Sequence, residues 1–482
     1  MMCSRWIPAF VALALTVCCA QAQFPVTISP TATVAASAST DTGQDQGVHL
    51  ATDRRGRWMA VWSSTDDAGL GLGPDADILF SMSDDDGMTW DVPQALPGMN
   101  ADVLEDLAPR VTTNRRGTWM ITWYANSATD ADVYVAVTDD NGQSFSTPRL
   151  IDPVMAVDSG DDFLPRLETD TQGVWMVAWQ TCDPTGGGLG TDEDIVYARS
   201  LDDGETWSAP VAWYAYAATD GSADVNVALA TDAQGNWIAA WQSDRNLGGI
   251  GVDDDILYVR SADSGMTWST PLPVASNATT DTGRDLSPAL TTDGQCNWVI
   301  AWHSTENLGG INTDYDIFRV TSNDNGMTWS APAVLNGTAS GDAAPDFGVN
   351  LATDHRGNWV ASWTSLDAGG GLGSDSDVLV AHSADAGVTW SMPVPLNDDA
   401  LTDTGGDEGA VIVADRDGGW IGAWYAYLGM NGSLGSDRDV LTASFFIDLS
   451  ALDPGPLTPP GAISNMATTD VGGDFRVSLA SD

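Results

Sequence analysis

A pair of tryptophans four residues apart recurs seven times along the chain. The pairs are Trp58/Trp62, Trp119/Trp123, Trp175/Trp179, Trp237/Trp241, Trp298/Trp302, Trp359/Trp363 and Trp420/Trp424. A glycine stands two residues before the first Trp in every copy but the fifth, where Cys296 replaces it. The first Trp returns at intervals of 61, 56, 62, 61, 61 and 61 residues. A repeat of this length is one supersecondary unit, and such a unit buries its apolar faces only against its neighbours. The chain therefore folds as an array, and the remaining question is which array.

A second motif follows each of the first six pairs. It reads Ser83-x-Asp85-x-Gly87-x-Thr89-Trp90 and returns around Asp140, Asp202, Asp263, Asp324 and Asp385. Each unit holds four short runs with strand patterning, in the first unit Val48–Thr52, Trp58–Ser63, Ile78–Ser83 and Val92–Leu96. Alternation and Val/Ile/Trp enrichment mark strands, and Asp/Gly clusters mark the turns between them. Four-stranded units repeated radially give a β-propeller, which leaves only short, protected sheet edges. The reading is all-β, with seven four-stranded blades. The seventh unit stops after its third strand, and Phe24–Ile28 resembles the fourth strand of the sixth unit, Met392–Leu396. The amino-terminal strand is therefore expected to close the ring.

The ends read differently. Residues 1–22 have a charged start, an apolar run and Ala20-Gln21-Ala22, the pattern of a secretory signal. The expectation is export to an extracellular or periplasmic space, then a propeller over 23–446 and a Pro-rich linker and tail over 447–482. No later segment is apolar enough for a membrane span. Cys182 and Cys296, the cysteines left after such cleavage, are expected to be unpaired thiols.

The Ser-x-Asp-x-Gly-x-Thr-Trp motif resembles the Asp-box, or BNR repeat, of the sialidase superfamily, and with the Trp pairs the resemblance covers about 420 residues. It implies a propeller in which Asp85, Asp140, Asp202, Asp263, Asp324 and Asp385 are folding elements on the face opposite an active site. Sialidases have six blades, so six is the alternative to seven. The resemblance also implies what to seek on the other face: arginines for a sugar carboxylate, a Tyr nucleophile assisted by Glu, and an Asp acid/base. The Arg-Ile-Pro segment common in that family is absent. Pro109-Arg110-Val111 and Pro165-Arg166-Leu167 have the reverse order.

Charge narrows the partners. Lys+Arg total 18 and Asp+Glu 67, for a net charge of −49. Nucleic acid and anionic membranes are poor partners for such a chain. With no Lys there is no phosphate loop of the Gly-x4-Gly-Lys type, and Gly-x-Ser-x-Gly is absent. Four His without metal-ligand spacing argue against zinc.

The acids are patterned. An Asp precedes the first strand of every unit, from Asp45 to Asp407, and an Asp-x-Asp pair opens every third strand. The pairs Asp75/Asp77, Asp192/Asp194, Asp253/Asp255 and Asp375/Asp377 follow Gly-rich runs and are candidate Ca²⁺ ligands, because carboxylate and carbonyl oxygens suit a hard cation. The alternative is that each Asp satisfies donors of its own blade.

Specificity should come from residues that break the repeat. On the first strands these include His49, Arg110 and Arg166, and after the second Trp they include Tyr124, His303 and Tyr425. Arg110, Arg166 and Tyr124 in adjacent units offer an anion-and-sugar site, and His49 and His303 are further ligand-binding candidates. The alternative is that the two arginines pair with Asp106 and Asp162. Three functions follow. The first is a monomeric module that binds a glycan or an extracellular protein. The second is an exo-α-sialidase-type hydrolase with Tyr124 or Tyr425 as nucleophile. The third is a calcium-stabilised structural protein.

Overall fold

The computed structural model describes residues 26–447 apart from 36–37, 39–42, 68, 102, 128, 153–154, 156–159, 183–188, 191, 216, 220, 342, 368–371, 374, 398–399, 403, 416–417 and 428–436. The expected leader over 1–22 and the chain after 447 lie outside the described residues. Seven antiparallel sheets form seven blades, and no α-helix occurs among the described residues. Seven, rather than six, is the blade count.

In six blades the strands run in chain order from channel to rim. Blade one is Asp45–Thr52, Trp58–Ser64, Asp77–Ser83 and Gln94–Ala95. The first strands of all seven blades surround one central cavity. Both tryptophans of blades one to six are at most 1% exposed and fill the space between sheets. Each buries about 200 Å², a gross gain of about 5 kcal/mol before entropy. The pattern of one Trp pair per unit is thus a core distributed equally around the ring. Cys182 and Cys296 carry free thiols.

The Asp-box turns explain their residues. Asp85 Oδ1 accepts the Thr89 N–H at 2.8 Å, and its Oδ2 accepts the Thr89 hydroxyl at 2.6 Å. Ser83 Oγ donates to Asp85 and accepts the Gly87 N–H. These bonds hold the Asp85 carboxyl below its ordinary pKa. Gly87 has φ +74°, and a Cβ there would overlap Ile421 of the neighbouring blade. The later boxes repeat this contact, with Gly142 against Met59 and Gly204 against Met120. The motif therefore ties its own turn and wedges it against the preceding blade.

Closure uses the amino terminus, with a register six residues away from the sequence match. Ala32–Thr33 pairs with Leu441–Thr442, where the outermost strand of every other blade pairs with its third strand. Val26–Ile28 pairs further along, with Phe445–Ile447. The expected counterpart of Val394–Pro395 was Val26–Thr27, and in the structure it is Ala32–Thr33. The reason is the missing seventh Asp-box. Without a turn there, the third strand continues to Ile447 and gains a second paired segment.

Candidate functional site

Every first strand contains a bulge. Between Phe163 and Arg166 the register shifts, and Leu164 takes φ +53°. Gly47, Gly348 and Gly409 supply this left-handed residue in three blades; Ala108, Leu164, Asn226 and Ser287 supply it in the others. A bulge re-aims the side chains that follow it. Here it turns His49, Arg110, Arg166 and their counterparts into the channel, where alternation then brings Glu168 in below Arg166. The bulge residue has no single identity, so the sequence pattern hides it.

The channel is a cavity of about 390 Å³. Its ionisable lining is His49, Arg54, Arg110, Arg115, Arg166 and His355, against Glu168 and Asp232. Asp232 is occupied by its own turn, where it accepts the N–H of Gln234 at 2.7 Å and of Asn236 at 3.0 Å. In a chain of net charge −49 this lining is cationic.

Arg110 and Arg166 have no carboxylate partner among the described residues. Arg110 Nη1 donates to the Pro109 carbonyl at 2.9 Å, and Arg166 Nη1 to the Pro165 carbonyl at 3.4 Å. The expected pairing with Asp106 and Asp162 does not form. Those carboxylates face the blade interior and accept indole N–H groups, from Trp123 at 2.6 Å and from Trp179 at 2.7 Å. Burial, then the charge of Arg166, depresses Arg110 well below the usual guanidinium range, and burial lowers Arg166 to about 10. His49 is pushed down by burial and both arginines, so it is neutral. Its Nδ1 accepts the Val111 N–H at 3.3 Å, which leaves the proton on Nε2. The channel thus offers two guanidinium groups without an ion-pair partner among the described residues, and an imidazole donor.

The acidic rim follows the alternative reading in part. Asp224 and Asp407 also accept indole N–H groups, from Trp241 at 2.8 Å and Trp424 at 3.0 Å. A residue after the outermost strand then bridges neighbouring blades. Asn336 Nδ2 donates to Asp316 at 3.0 Å and to Asp346 at 2.6 Å. Tyr214 bonds Asp194 and Asp224, and Asn397 bonds Asp407. This bridging was not legible in a single repeat, because the residue types differ between units.

Among the calcium candidates, Asp77, Asp194, Asp255 and Asp377 are buried at third-strand starts. Asp192, Asp253 and Asp375 are half-buried, and Asp75 is buried. The glycines before them have a steric role: a Cβ at Gly73, Gly190 or Gly251 would overlap the carboxylate of Asp75, Asp192 or Asp253. Among the described residues, Asp255 alone of these comes together with two further acids, Asp281 and Asp285. Burial and neighbouring carboxylates push Asp255 up to about 8, Asp285 to about 7 and Asp281 to about 6.

The other candidates lie apart from the channel cavity. Tyr124 packs edge-on to Phe163 at 6.4 Å, and burial raises its pKa. Tyr425 Oη donates to Glu408 Oε2 at 3.5 Å, and the Arg438 guanidinium lies 5.4 Å from its ring centre. Burial and Glu408 raise Tyr425. His303 lies against Tyr315 at 5.2 Å and is lowered to about 4 by burial and Arg284.

No family model matches the chain, and no curated protein matches it. Solved structures similar to it include propeller glycoside hydrolases and lyases. An ulvan lyase, a polysaccharide lyase solved with a GlcA(1-4)Rha3S ligand, aligns at 12% identity over 88% of this chain and 95% of its own, with a TM-score of 0.49. An α-L-arabinofuranosidase from Fusarium graminearum aligns at 14% identity over 88% and 99%, with a TM-score of 0.45. A Hadza microbial sialidase aligns at 17% identity over 81% and 76%, with a TM-score of 0.43.

Proposed function

We propose that the channel binds the carboxylate of an acidic glycan between Arg110 and Arg166, with His49 as a third donor. One observation carries this reading: two guanidinium groups from adjacent blades share the channel cavity with no carboxylate partner among the described residues, in a chain with 67 acids. Such a pair is costly alone, because like charges repel and burial strips away water. A planar carboxylate relieves both costs, and guanidinium forks match its geometry. A carboxylated sugar also supplies hydroxyls for the Thr and Asn groups of the wall, such as Thr112 and Asn350. The test is calorimetric titration with sialate- and uronate-bearing oligosaccharides against neutral counterparts, repeated on an Arg110→Ala/Arg166→Ala double variant.

A hydrolase is the second reading, and the Tyr425–Glu408 pair favours it. The pair has the composition expected of a Tyr nucleophile and its Glu. Its raised tyrosine pKa and its place outside the channel cavity weigh toward binding without turnover. Release of a fluorophore from an α-sialoside, lost in Tyr425→Phe, would establish the hydrolase instead.

A further inference from the structure

We propose that the junction between blades four and five binds a calcium ion through the carboxylates of Asp255, Asp281 and Asp285. One oxygen of each lies within 4.8 Å of the others. Two observations bear on this group beyond its acidity. Asp255 is 1% exposed, yet its Oδ2 has no hydrogen-bond partner, and Oδ1 of Asp281 has none either. Buried polar atoms are nearly always partnered, so these point to a group that supplies positive charge. The second observation is a substitution in the repeat. The position that holds the bridging donors Tyr214, Asn336 and Asn397 is Ala275 in this blade. Where Asn336 places an amide between Asp316 and Asp346, this junction has the methyl group of Ala275 and no amide from that position.

Three carboxylates without His or Cys select a hard cation. Magnesium holds its waters and demands octahedral geometry, whereas calcium accepts irregular carboxylate shells. The ion would join the third strand of blade four (Asp255) to the first strand of blade five (Asp285). It would thus do at this junction what Asn336 does at the next.

The test uses the full chain, stripped with chelator and titrated with calcium or magnesium by calorimetry, with melting followed in parallel. The expected result is calcium binding that raises the melting temperature, with magnesium weaker by about tenfold or more. Asp281→Asn should lower the calcium stoichiometry by one ion while melting, without metal, no lower than wild type, since it removes a repelling charge. Ala275→Asn should raise the metal-free melting temperature and shrink the calcium increment. Arg110→Ala/Arg166→Ala should leave the increment unchanged, because this site stands apart from the channel. A stoichiometry unaltered by Asp281→Asn, or wild-type melting indifferent to calcium, would overturn the proposal.

Discussion

Trp179 Nε1 donates to Asp162 Oδ1 at 2.7 Å, across the two inner strands of blade three. The same bond joins Trp123 to Asp106, Trp241 to Asp224 and Trp424 to Asp407, always over 17 residues. It ties the buried Trp to the strand whose bulge delivers Arg166 to the channel. Asp162→Ala should destabilise the fold by about 2–3 kcal/mol, since it strands a buried indole donor. Asp162→Asn retains an acceptor and should cost less. Urea unfolding followed by Trp fluorescence measures both, and equal losses would contradict this role.

That bond shows how far the sequence could be read. Trp and Asp both recur with the repeat, so the spacing of 17 was visible, but a constant spacing says nothing about which atoms meet. The blades and Asp-boxes were legible because every unit repeats them. Arg110 and Arg166 were legible because they break the repeat. Their lack of a partner was not, because it depends on Asp106 and Asp162 turning inward. Asp281 had a signal that the strand patterns did not use. An Asp stands four residues before the first-strand Asp in every unit, from Asp41 to Asp403. Blade-seven closure was misregistered because Val26–Ile28 and Ala32–Thr33 both have strand character, and only the missing Asp-box decides between them.

Cys296 takes φ +74° at the place where other units have glycine, as in Gly56 at φ +100° and Gly357 at φ +106°. A left-handed conformation costs a residue with a Cβ about 1–2 kcal/mol. Cys296→Gly should therefore stabilise the chain by about 1 kcal/mol, less the added freedom of its unfolded state. The residue is exposed, so little packing is lost. A fall in the urea midpoint would contradict the strain argument.

The pH dependence should have two limbs. Burial raises Asp194 to about 7 and Asp224 to about 6, even with Tyr214 donating to them. The folded state then binds more protons than the unfolded chain. This contribution is complete below about pH 4 and is lost as pH rises through 6 and 7. The Asp-box carboxyls do the opposite. Asp140 and Asp263 fall to about 2, chiefly through hydrogen bonds from Ser144 and Thr267, so their contribution disappears below pH 4. Melting scans in chelator should show greatest stability in the mildly acidic range, and Asp194→Asn should flatten the limb above it. Stability rising from pH 5 to pH 8 would contradict these signs.

Ring closure predicts a graded response to truncation. Removing residues up to 30 deletes the Val26–Ile28 pairing but spares Ala32–Thr33, Val34 and its bond to the Val440 carbonyl. The ring should then persist with a lower melting temperature. Removing residues up to 34 exposes the third strand of blade seven along its length and should abolish the cooperative transition. Equal melting of both truncations and wild type would rule this closure out.

The most direct test of the channel reading is calorimetric titration of the full chain with carboxylated and neutral oligosaccharides of matched length. Binding should be confined to the carboxylated series, weaken as salt is raised, and vanish in the folded Arg110→Ala/Arg166→Ala variant. Equal binding of neutral sugars, or acidic-glycan binding that survives in the double variant, would contradict it.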